Sequence, residues 1–201
     1  MLIQEMDHRI KNLFTLANSV VLLNVRSVGT PAELATTVSA RLTSLAQAHA
    51  LTVPSGFRSE QTTTLHTLIK KNFVPYATDG EMTQSRVNIT SPDLSIAGNS
   101  VTSFALLLHE FTTNAAKYGA LSMVEGGVLI SCSKTADLYT VIWREINGPY
   151  IEREPGKSGF GTVLAQTTIR GQLRGEITRE WNTEGLVIRL VFSVERVRLL
   201  S

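Results

Sequence analysis

Apolar residues recur every three or four positions through the first fifty residues and predict two helices. The first helix, expected to run to about Ser27, has one apolar face. This face consists of Ile3, Met6, Ile10, Leu13, Ala17 and Val20. Gly29 ends the helix, and Thr30-Pro31-Ala32-Glu33 has the sequence of a capping box with proline at the first helical position. A second helix should continue to about residue 53. Because the turn is short, the two helices should pack antiparallel. Two helices make a thin core, so we expect two copies of the chain to form a four-helix bundle.

The pattern changes to alternating strands and helices in the rest of the chain. Residues 54–63 are polar and turn-rich, which is typical of a connection, and a short helix is expected at 64–76. Strands are expected at 86–90, 94–97, 127–133, 138–145, 175–181 and 186–194, and helices at 100–118 and 160–172. This order predicts a mixed, mostly antiparallel sheet with helices on one face. The fold class is therefore α+β, with a helical hairpin and connecting helix over residues 1–76 and a second domain over residues 77–201.

The long helix at 100–118 has an unusual polar side. Its apolar face is formed by Phe104, Leu107, Leu108, Phe111, Ala115 and Tyr118, and Gly119 suits the left-handed residue that ends many helices. Glu110, Asn114 and Lys117 follow one another at i, i+4 and i+7. A carboxylate, an amide and an ammonium in a row can hold a divalent cation and a phosphate together. The alternative is a solvated helix face that carries one salt bridge.

His8 points away from the apolar face of the first helix, about 200° from Met6 at 3.6 residues per turn. An unprotonated imidazole nitrogen is a nucleophile near neutral pH, and Glu5 or Asp7 can orient the ring. Asn12 is placed one turn further on, where it can hold a water molecule. The alternative for His8 is an ordinary surface histidine. His49 and His66 are expected to be structural, whereas His109 is either a packing residue or a residue that orients a phosphate or the nucleophile.

Two glycine-bearing segments complete a candidate pocket. Glu145 ends a predicted strand, where a carboxylate can accept a hydrogen bond from an exocyclic amine such as that of adenine. Gly148 follows and allows a purine ring to approach the backbone. The sequence Ser158-Gly-Phe-Gly-Thr162 begins a predicted helix and exposes backbone N–H groups to a phosphate. Each segment alone is a weak signal, but in this order they indicate a nucleotide site with a lid.

Composition excludes several classes of protein. The 201 residues are 43% apolar and 18% charged with a net charge of +2, which is ordinary for a soluble globular protein. No basic stripe interleaved with aromatic residues indicates nucleic-acid binding. The single cysteine, Cys132, should be a buried strand residue, and its isolation excludes an internal disulfide and favours a reducing compartment. No apolar run is long enough for a membrane span, and the first residues do not resemble a signal peptide, so we expect a cytoplasmic location.

Four segments together make the chain resemble a bacterial sensor histidine kinase of the HWE type. They are His8-Arg-Ile-Lys-Asn12, His109-Glu-Phe-Thr-Thr-Asn-Ala-Ala-Lys-Tyr-Gly-Ala-Leu121, Trp143-Arg-Glu145 and Gly159-Phe-Gly161. In this order they are similar to the phospho-acceptor box, the N box with its characteristic histidine, the Trp-x-Glu box and a glycine box of that family. The resemblance implies a dimerisation and histidine-phosphotransfer hairpin followed by a gyrase-like ATP-binding α/β sandwich.

The resemblance also implies roles for individual residues. His8 would accept the phosphoryl group of ATP and pass it to an aspartate in the receiver domain of a response regulator. Asn114 would bind Mg²⁺, Glu110 would assist in metal binding or phosphoryl transfer, and Lys117 would neutralise phosphate charge. The remaining residues implied in nucleotide binding are Tyr118, Glu145, Gly148, Gly159, Phe160 and Gly161.

The sequence departs from the family pattern at two positions. Arg9 follows the acceptor histidine where many histidine kinases have a carboxylate, so the base remains open between Asp7, Glu5 and solvent. Asn147 stands where the family has a glycine, and nucleotide binding is expected to survive because asparagine tolerates left-handed backbone geometry.

Rival interpretations remain open for the chain as a whole. One is a non-catalytic nucleotide-binding module for dimerisation or scaffolding, and another is an ATPase or serine kinase of the same superfamily. Because His8 lies so close to Met1 and the chain has no sensor domain, we expect a core taken from a longer, homodimeric kinase.

Overall fold

The computed structural model describes the segments 30–50, 63–76, 86–90, 92–96, 99–154 and 173–198. It also describes positions 14, 15, 17, 18, 20–22, 25, 162, 165, 166, 169 and 170. Six of the candidate residues lie outside the described residues: Asp7, His8, Asn12, Gly159, Phe160 and Gly161. Predictions that depend on the positions of these residues therefore stay predictions.

The second hairpin helix begins where its capping box predicts. Helix α1 spans Pro31–Ala50. The backbone N–H and hydroxyl of Thr30 donate to Glu33 Oε2 at 3.1 and 2.9 Å, and the N–H of Glu33 donates to the Thr30 hydroxyl at 3.3 Å. This reciprocal pair satisfies orphan donors of the first turn. Leu34, Val38 and Leu42 are half-buried along the predicted inward face of α1.

The described positions of the first helix are helical and show two apolar surfaces. Val20 is fully buried and Ala17 is half-buried, in agreement with the predicted apolar face. Phe14, Val21 and Val25 are nevertheless exposed, and they lie within about 40° of one another on the helix. The sequence pattern did not reveal this second apolar surface.

A five-stranded mixed sheet forms the second part of the chain. Its strands are β2 (Val87–Thr90), β4 (Gly127–Thr135), β5 (Leu138–Ile146), β6 (Glu176–Asn182) and β7 (Gly185–Ser193). They lie in the order β2-β4-β5-β7-β6, with β2 parallel to β4 and the other pairs antiparallel. A separate two-stranded pair joins β1 (Thr63–Thr64) to β3 (Ser95–Ile96). The predicted mixed, mostly antiparallel sheet is confirmed.

Three further helices with complete bounds accompany the strands in the described segments. Helix α2 is Leu65–Phe73, α3 is Asn99–Lys117 and α4 is Val194–Arg198, with 3₁₀ turns at Val74–Tyr76 and Ala120–Ser122. The predictions for α2 and α3 are confirmed within the usual uncertainty of helix ends. Strand β1 and helix α4 were missed because two and five residues are too short to give a periodic pattern.

One face of the sheet forms the core beneath α3. Ile130, Trp143 and Ile188 are neighbours across β4, β5 and β7, and each is almost completely buried. The Phe111 ring of α3 meets the Trp143 ring edge-on, with the ring centroids 5.8 Å apart. Cys132 is buried on the same face of β4, as predicted from the alternating pattern.

Helix α2 belongs to the same core as the sheet. Leu65, Leu68, Ile69 and Phe73 are all buried in it, and the Phe73 ring stacks on Trp143 with centroids 5.5 Å apart. The domain boundary predicted between residues 76 and 77 would therefore separate α2 from the side chains it packs against.

Replacing Phe73 with alanine tests this packing. We expect Phe73→Ala to lower the free energy of unfolding by about 3–5 kcal/mol, because a buried aromatic ring is lost and its cavity remains. The matched control is Val74→Ala, since Val74 is 66% exposed, and its effect should stay within about 0.5 kcal/mol. Urea unfolding followed by tryptophan fluorescence measures both. Equal midpoints for the two variants would contradict the assignment of α2 to the core.

Candidate functional site

The polar residues predicted on α3 extend from the interior to the surface. Glu110 is buried, whereas Asn114 and Lys117 are exposed near the end of the helix. Tyr118 was predicted on the apolar face, but it follows the last helical residue and is 76% exposed. The exposed amide and ammonium remain accessible to a metal–phosphate ligand, and Tyr118 offers an aromatic surface beside them.

Glu110 is paired with Arg41 on α1 through both carboxylate oxygens. Arg41 Nε donates to Glu110 Oε1 at 2.5 Å, and Arg41 Nη2 donates to Oε2 at 2.8 Å. A planar guanidinium matches a carboxylate in this two-bond geometry. In this arrangement Glu110 is therefore an ion-pair partner between two helices, and the interpretation of a solvated helix face does not fit it.

His109 lies partly buried beside this pair. Burial lowers the pKa of His109; the Glu110 carboxylate opposes this shift, and the charges of Arg41 and Lys117 add to it. The imidazole therefore favours its neutral form. A neutral ring can orient a neighbour through hydrogen bonding, but it adds no positive charge for a phosphate.

Glu145 is buried at the end of β5 and is bonded within the chain. Its Oε2 accepts from the backbone N–H of Ala120 at 2.8 Å, and its Oε1 accepts from the Trp143 indole N–H at 3.4 Å. Burial raises the pKa of Glu145, and the two hydrogen bonds oppose that rise. Because Trp143 and Glu145 lie two residues apart on one face of a strand, the indole orients the carboxylate.

Position 119 requires glycine because neighbouring atoms lie close to it, and not because of its backbone angles. Its φ is −112°, so the left-handed helix end predicted for this residue is wrong. A Cβ at this position would overlap Glu145 Oε2 and lie 3.0 Å from the Ala115 Cα. The missing side chain leaves room for the Glu145 carboxylate to reach the N–H of Ala120.

Gly148 also permits a close backbone approach, in this case to the 3₁₀ turn. A Cβ on Gly148 would lie 3.1 Å from the N and Cα atoms of Ala120. Asn147 beside it has a φ of 53°, which confirms the expected left-handed geometry, and its side-chain amide donates to the Glu125 carbonyl at 3.2 Å. The contact of Gly148 with a purine ring stays a prediction.

Arg86 is a structural residue of this region that the sequence did not reveal. Its guanidinium donates to the carbonyls of Gly126, Leu121 and Met123 at 2.8, 3.1 and 2.7 Å. Together with Glu145, Arg86 therefore holds the segment that follows the polar end of α3. The sequence pattern does not predict this role of Arg86, because a single arginine before a strand has no distinctive spacing.

No cluster of three or more His, Cys, Asp or Glu side chains suited to a metal ion occurs among the residues that the structure describes. Asn114 is exposed and its amide oxygen is a hard ligand that suits Mg²⁺. Phosphate oxygens and water molecules supply the remaining ligands when Mg²⁺ binds with a nucleotide. The donor set at Asn114 and Lys117 thus fits a magnesium–nucleotide complex, while Glu110 fits it only after separation from Arg41.

Within the described part of the chain, we find no helix with the length and apolar character needed to cross a membrane.

Gly119→Ala tests the packing of the Glu145 carboxylate. The added methyl group must displace that carboxylate or the end of α3, so we expect a loss of about 1–3 kcal/mol in unfolding free energy. In a Glu145→Ala background the same substitution should cost less, because the nearest overlapping atom is absent. Chemical denaturation of the wild type, the two single variants and the double variant gives the four unfolding free energies of this cycle. An identical cost in both backgrounds would show that Glu145 does not constrain residue 119.

Glu145 should also affect the pH dependence of stability. Its raised pKa means that the folded state binds this proton more tightly than the unfolded chain does. The wild type should therefore lose stability as pH rises from the ordinary value of 4.5 through the folded-state pKa. The glutamine of Glu145→Gln does not titrate, so the variant should not lose this stability. The unfolding free energy of the variant minus that of the wild type should therefore increase with pH over this range.

Urea midpoints between about pH 4 and pH 8 measure this difference. Glu180→Gln, at an exposed position of β6, is the matched control for removal of a carboxylate. A difference between Glu145→Gln and wild type that stays constant with pH would contradict the prediction.

Comparison with known proteins identifies the family. A model described as HWE histidine kinase matches residues 5–93, which include His8 and Asn12. A blue-light-activated histidine kinase of Rhizobium johnstonii is 33% identical over 190 residues, covering 93% of this chain and 51% of that protein. Blue-light-activated histidine kinase 1 of Erythrobacter litoralis is 32% identical over 194 residues, covering 96% and 52%. The chain spans about half the length of these curated relatives.

Solved structures show the same fold. A blue-light-activated histidine kinase of Erythrobacter litoralis EL346 superposes with a TM-score of 0.64 at 14% identity, covering 94% of this chain and 60% of that one. The histidine kinase ThkA, solved in complex with the response regulator TrrA, gives 0.50 at 16% identity, covering 97% and 61%. The helices and the mixed five-stranded sheet thus share the α+β fold of these histidine kinase structures. Residues 5–93 match the HWE model and the two curated relatives match more than nine-tenths of this chain, so the chain belongs to the HWE histidine kinases.

Proposed function

We propose that this chain is the core of a sensor histidine kinase that transfers the γ-phosphoryl group of ATP to His8. The observation that carries the proposal is the exposed pair Asn114 and Lys117, one turn apart on a rigid helix packed on the sheet. Membership of the HWE family supports the use of ATP, since its members are protein-histidine kinases. The relatives and neighbours reported above are named as histidine kinases, which also supports catalysis.

The residues of the chain act mainly by positioning and by neutralising charge. Mg²⁺ would neutralise the negative charge of the triphosphate and orient it. Asn114 would hold the metal, and Lys117 would stabilise charge on the phosphate oxygens. Backbone N–H groups of Gly159, Phe160 and Gly161 receive the phosphates, while Glu145, Gly148 and Tyr118 contact the base and sugar side of the nucleotide.

His8 supplies the nucleophile of the proposed reaction. Its neutral ring nitrogen attacks the γ-phosphorus in line, the bond to the β-phosphate oxygen breaks, and ADP leaves. Asp7, Glu5 or water removes the remaining ring proton, and Asn12 is placed to hold a water molecule near the phosphorylated ring. Because the nucleophile lies on the hairpin and the nucleotide residues lie on the sheet unit, transfer needs these units to approach each other.

The packing suggests where the two units meet. We place the boundary between Ala50 and Thr63, so that α2 belongs to the ATP-binding unit and the hairpin ends with α1. Burial of Leu65 and Phe73 against the sheet supports this division over one after residue 76. The hairpin then carries His8, and the unit that starts at β1 carries the nucleotide residues.

The proposed partners are a second copy of the chain and a response regulator. Exposed Phe14, Val21, Leu22 and Val25 offer an apolar surface on the first helix, which supports a homodimeric helical bundle. ThkA was solved with a response regulator, which supports a receiver domain as the acceptor of the phosphoryl group from His8. A sensor domain elsewhere in a longer protein, and a cytoplasmic location, complete the proposal.

Incubation with radiolabelled Mg-ATP tests the proposal. The wild type should acquire label that resists alkali and is lost in acid, which is characteristic of phosphohistidine, whereas His8→Gln should acquire none. Asn114→Ala should reduce labelling on the order of tenfold or more, because the magnesium ligand is removed. Asn88→Ala, an exposed asparagine on β2, is the matched control and should label normally.

Three outcomes would overturn this function. Full labelling of His8→Gln would exclude His8 as the acceptor. Nucleotide binding by the wild type without any acid-labile label would favour a scaffold that has kept its pocket, and acid-stable label would favour a serine kinase.

A further inference from the structure

The Arg41–Glu110 pair joins the two functional units of the chain. Arg41 lies on α1 of the hairpin, whereas Glu110 lies on α3, the helix that carries Asn114 and Lys117. The side chains are 14% and 3% exposed, so the pair is shielded from solvent and from screening by salt. The helices α1 and α3 pack against each other around this contact.

Separation of this pair is costly if Glu110 remains buried. A buried carboxylate that loses its partner keeps its desolvation penalty and gains no compensating hydrogen bond. The contact therefore favours an arrangement in which α1 of the hairpin stays packed against the part of α3 that precedes Asn114. It opposes small relative movements more strongly than an exposed ion pair does.

The same contact conflicts with the role in metal binding or phosphoryl transfer that the family resemblance implies for Glu110. Both carboxylate oxygens accept hydrogen bonds from Arg41, and only 2% of the residue is accessible. A Mg²⁺ ion or the imidazole of His8 needs at least one of those oxygens. Because Glu110 is buried beneath this pair, its oxygens are not accessible to either group while the pair holds, so pairing with Arg41 opposes participation in phosphoryl transfer.

We propose that Arg41 is a positioning residue that holds Glu110, and with it the ATP-binding unit, in a resting arrangement. Phosphoryl transfer to His8 begins from the arrangement in which Arg41 has released the Glu110 carboxylate. This inference rests on the proposed kinase function and assigns to Arg41 a control over the same site. The proposed control by Arg41 acts through its pairing with Glu110.

Arg41→Gln is the decisive variant. It should increase the initial rate of acid-labile labelling about fivefold or more, a size typical of coupling between two conformational states. A gain in rate distinguishes release of a resting contact from general damage, which lowers activity. Arg41→Lys keeps the charge but loses the two-bond geometry, and it should give a smaller increase. Arg189→Gln, at an exposed position of β7, is the matched control and should leave the rate unchanged.

A double-variant cycle tests whether the effect passes through Glu110. In a Glu110→Gln background, Arg41→Gln should no longer change the residual labelling rate, because no carboxylate remains to be released. A similar gain in both backgrounds would overturn the assignment to Glu110. Labelling by Arg41→Gln at or below the wild-type rate would overturn the proposal itself, and if that variant does not fold, the Arg41→Lys result decides in the same way.

Hydrogen–deuterium exchange provides a measurement that does not depend on kinase activity. Both Arg41→Gln and Glu110→Gln should exchange faster than wild type in peptides from α1 and from the middle of α3, with no change in β5 and β7. If both variants keep the wild-type level of protection from exchange in α1 and α3, the proposed role of this contact is overturned. If no variant labels His8 but exchange increases as expected, the kinase function fails while the contact between the units stands.

Discussion

The packing of α3 on one face of the sheet is the constraint on which the rest of the structure depends. Trp143 lies at its centre, stacked on Phe73 and met edge-on by Phe111. Because the core excludes water on this face, the polar groups that approach it must find partners within the chain. The positions of the turn after α3 and of helix α1 follow from this requirement.

Two carboxylates show how the requirement is met. Glu145 receives the N–H of Ala120 and the indole N–H of Trp143, and this anchors the 3₁₀ turn to the end of β5. Glu110 receives the guanidinium of Arg41, which anchors the hairpin helix to α3. Backbone and indole N–H groups satisfy the Glu145 carboxylate, whereas the positive charge of Arg41 balances the Glu110 carboxylate.

These contacts divide the proposed site into a part held by the core of the sheet and a part held by the hairpin. Asn114 and Lys117 stand on α3, whose apolar face is held in the core of the sheet. Glu110 lies one turn earlier on the same helix, but its availability depends on α1. A kinase needs both properties, since the nucleotide must be held firmly while the nucleophile must approach and withdraw.

The sequence by itself determined the order of the elements, the sheet class and the family. Periodicity is a local property, and it was sufficient for α3 and for the buried strand position of Cys132. The capping box at Thr30 was predicted from its residue types, which are also a local signal. The four boxes in order were sufficient for the family because their residue types and spacing are specific. The residues of the proposed site could be named from those boxes, and Asn114 and Lys117 are exposed as a nucleotide site requires.

Only the tertiary structure decided which atoms meet across distant segments. The Arg41–Glu110 pair joins residues 69 positions apart, and the Arg86 contacts span 35 to 40 positions. No local spacing records such pairs, because they depend on how helices and strands pack together. The need for Gly119 likewise arises from an approaching carboxylate and not from its own φ angle. Contacts of this kind are set by exclusion of water from a shared core, which acts between elements and leaves no periodic signal in either one.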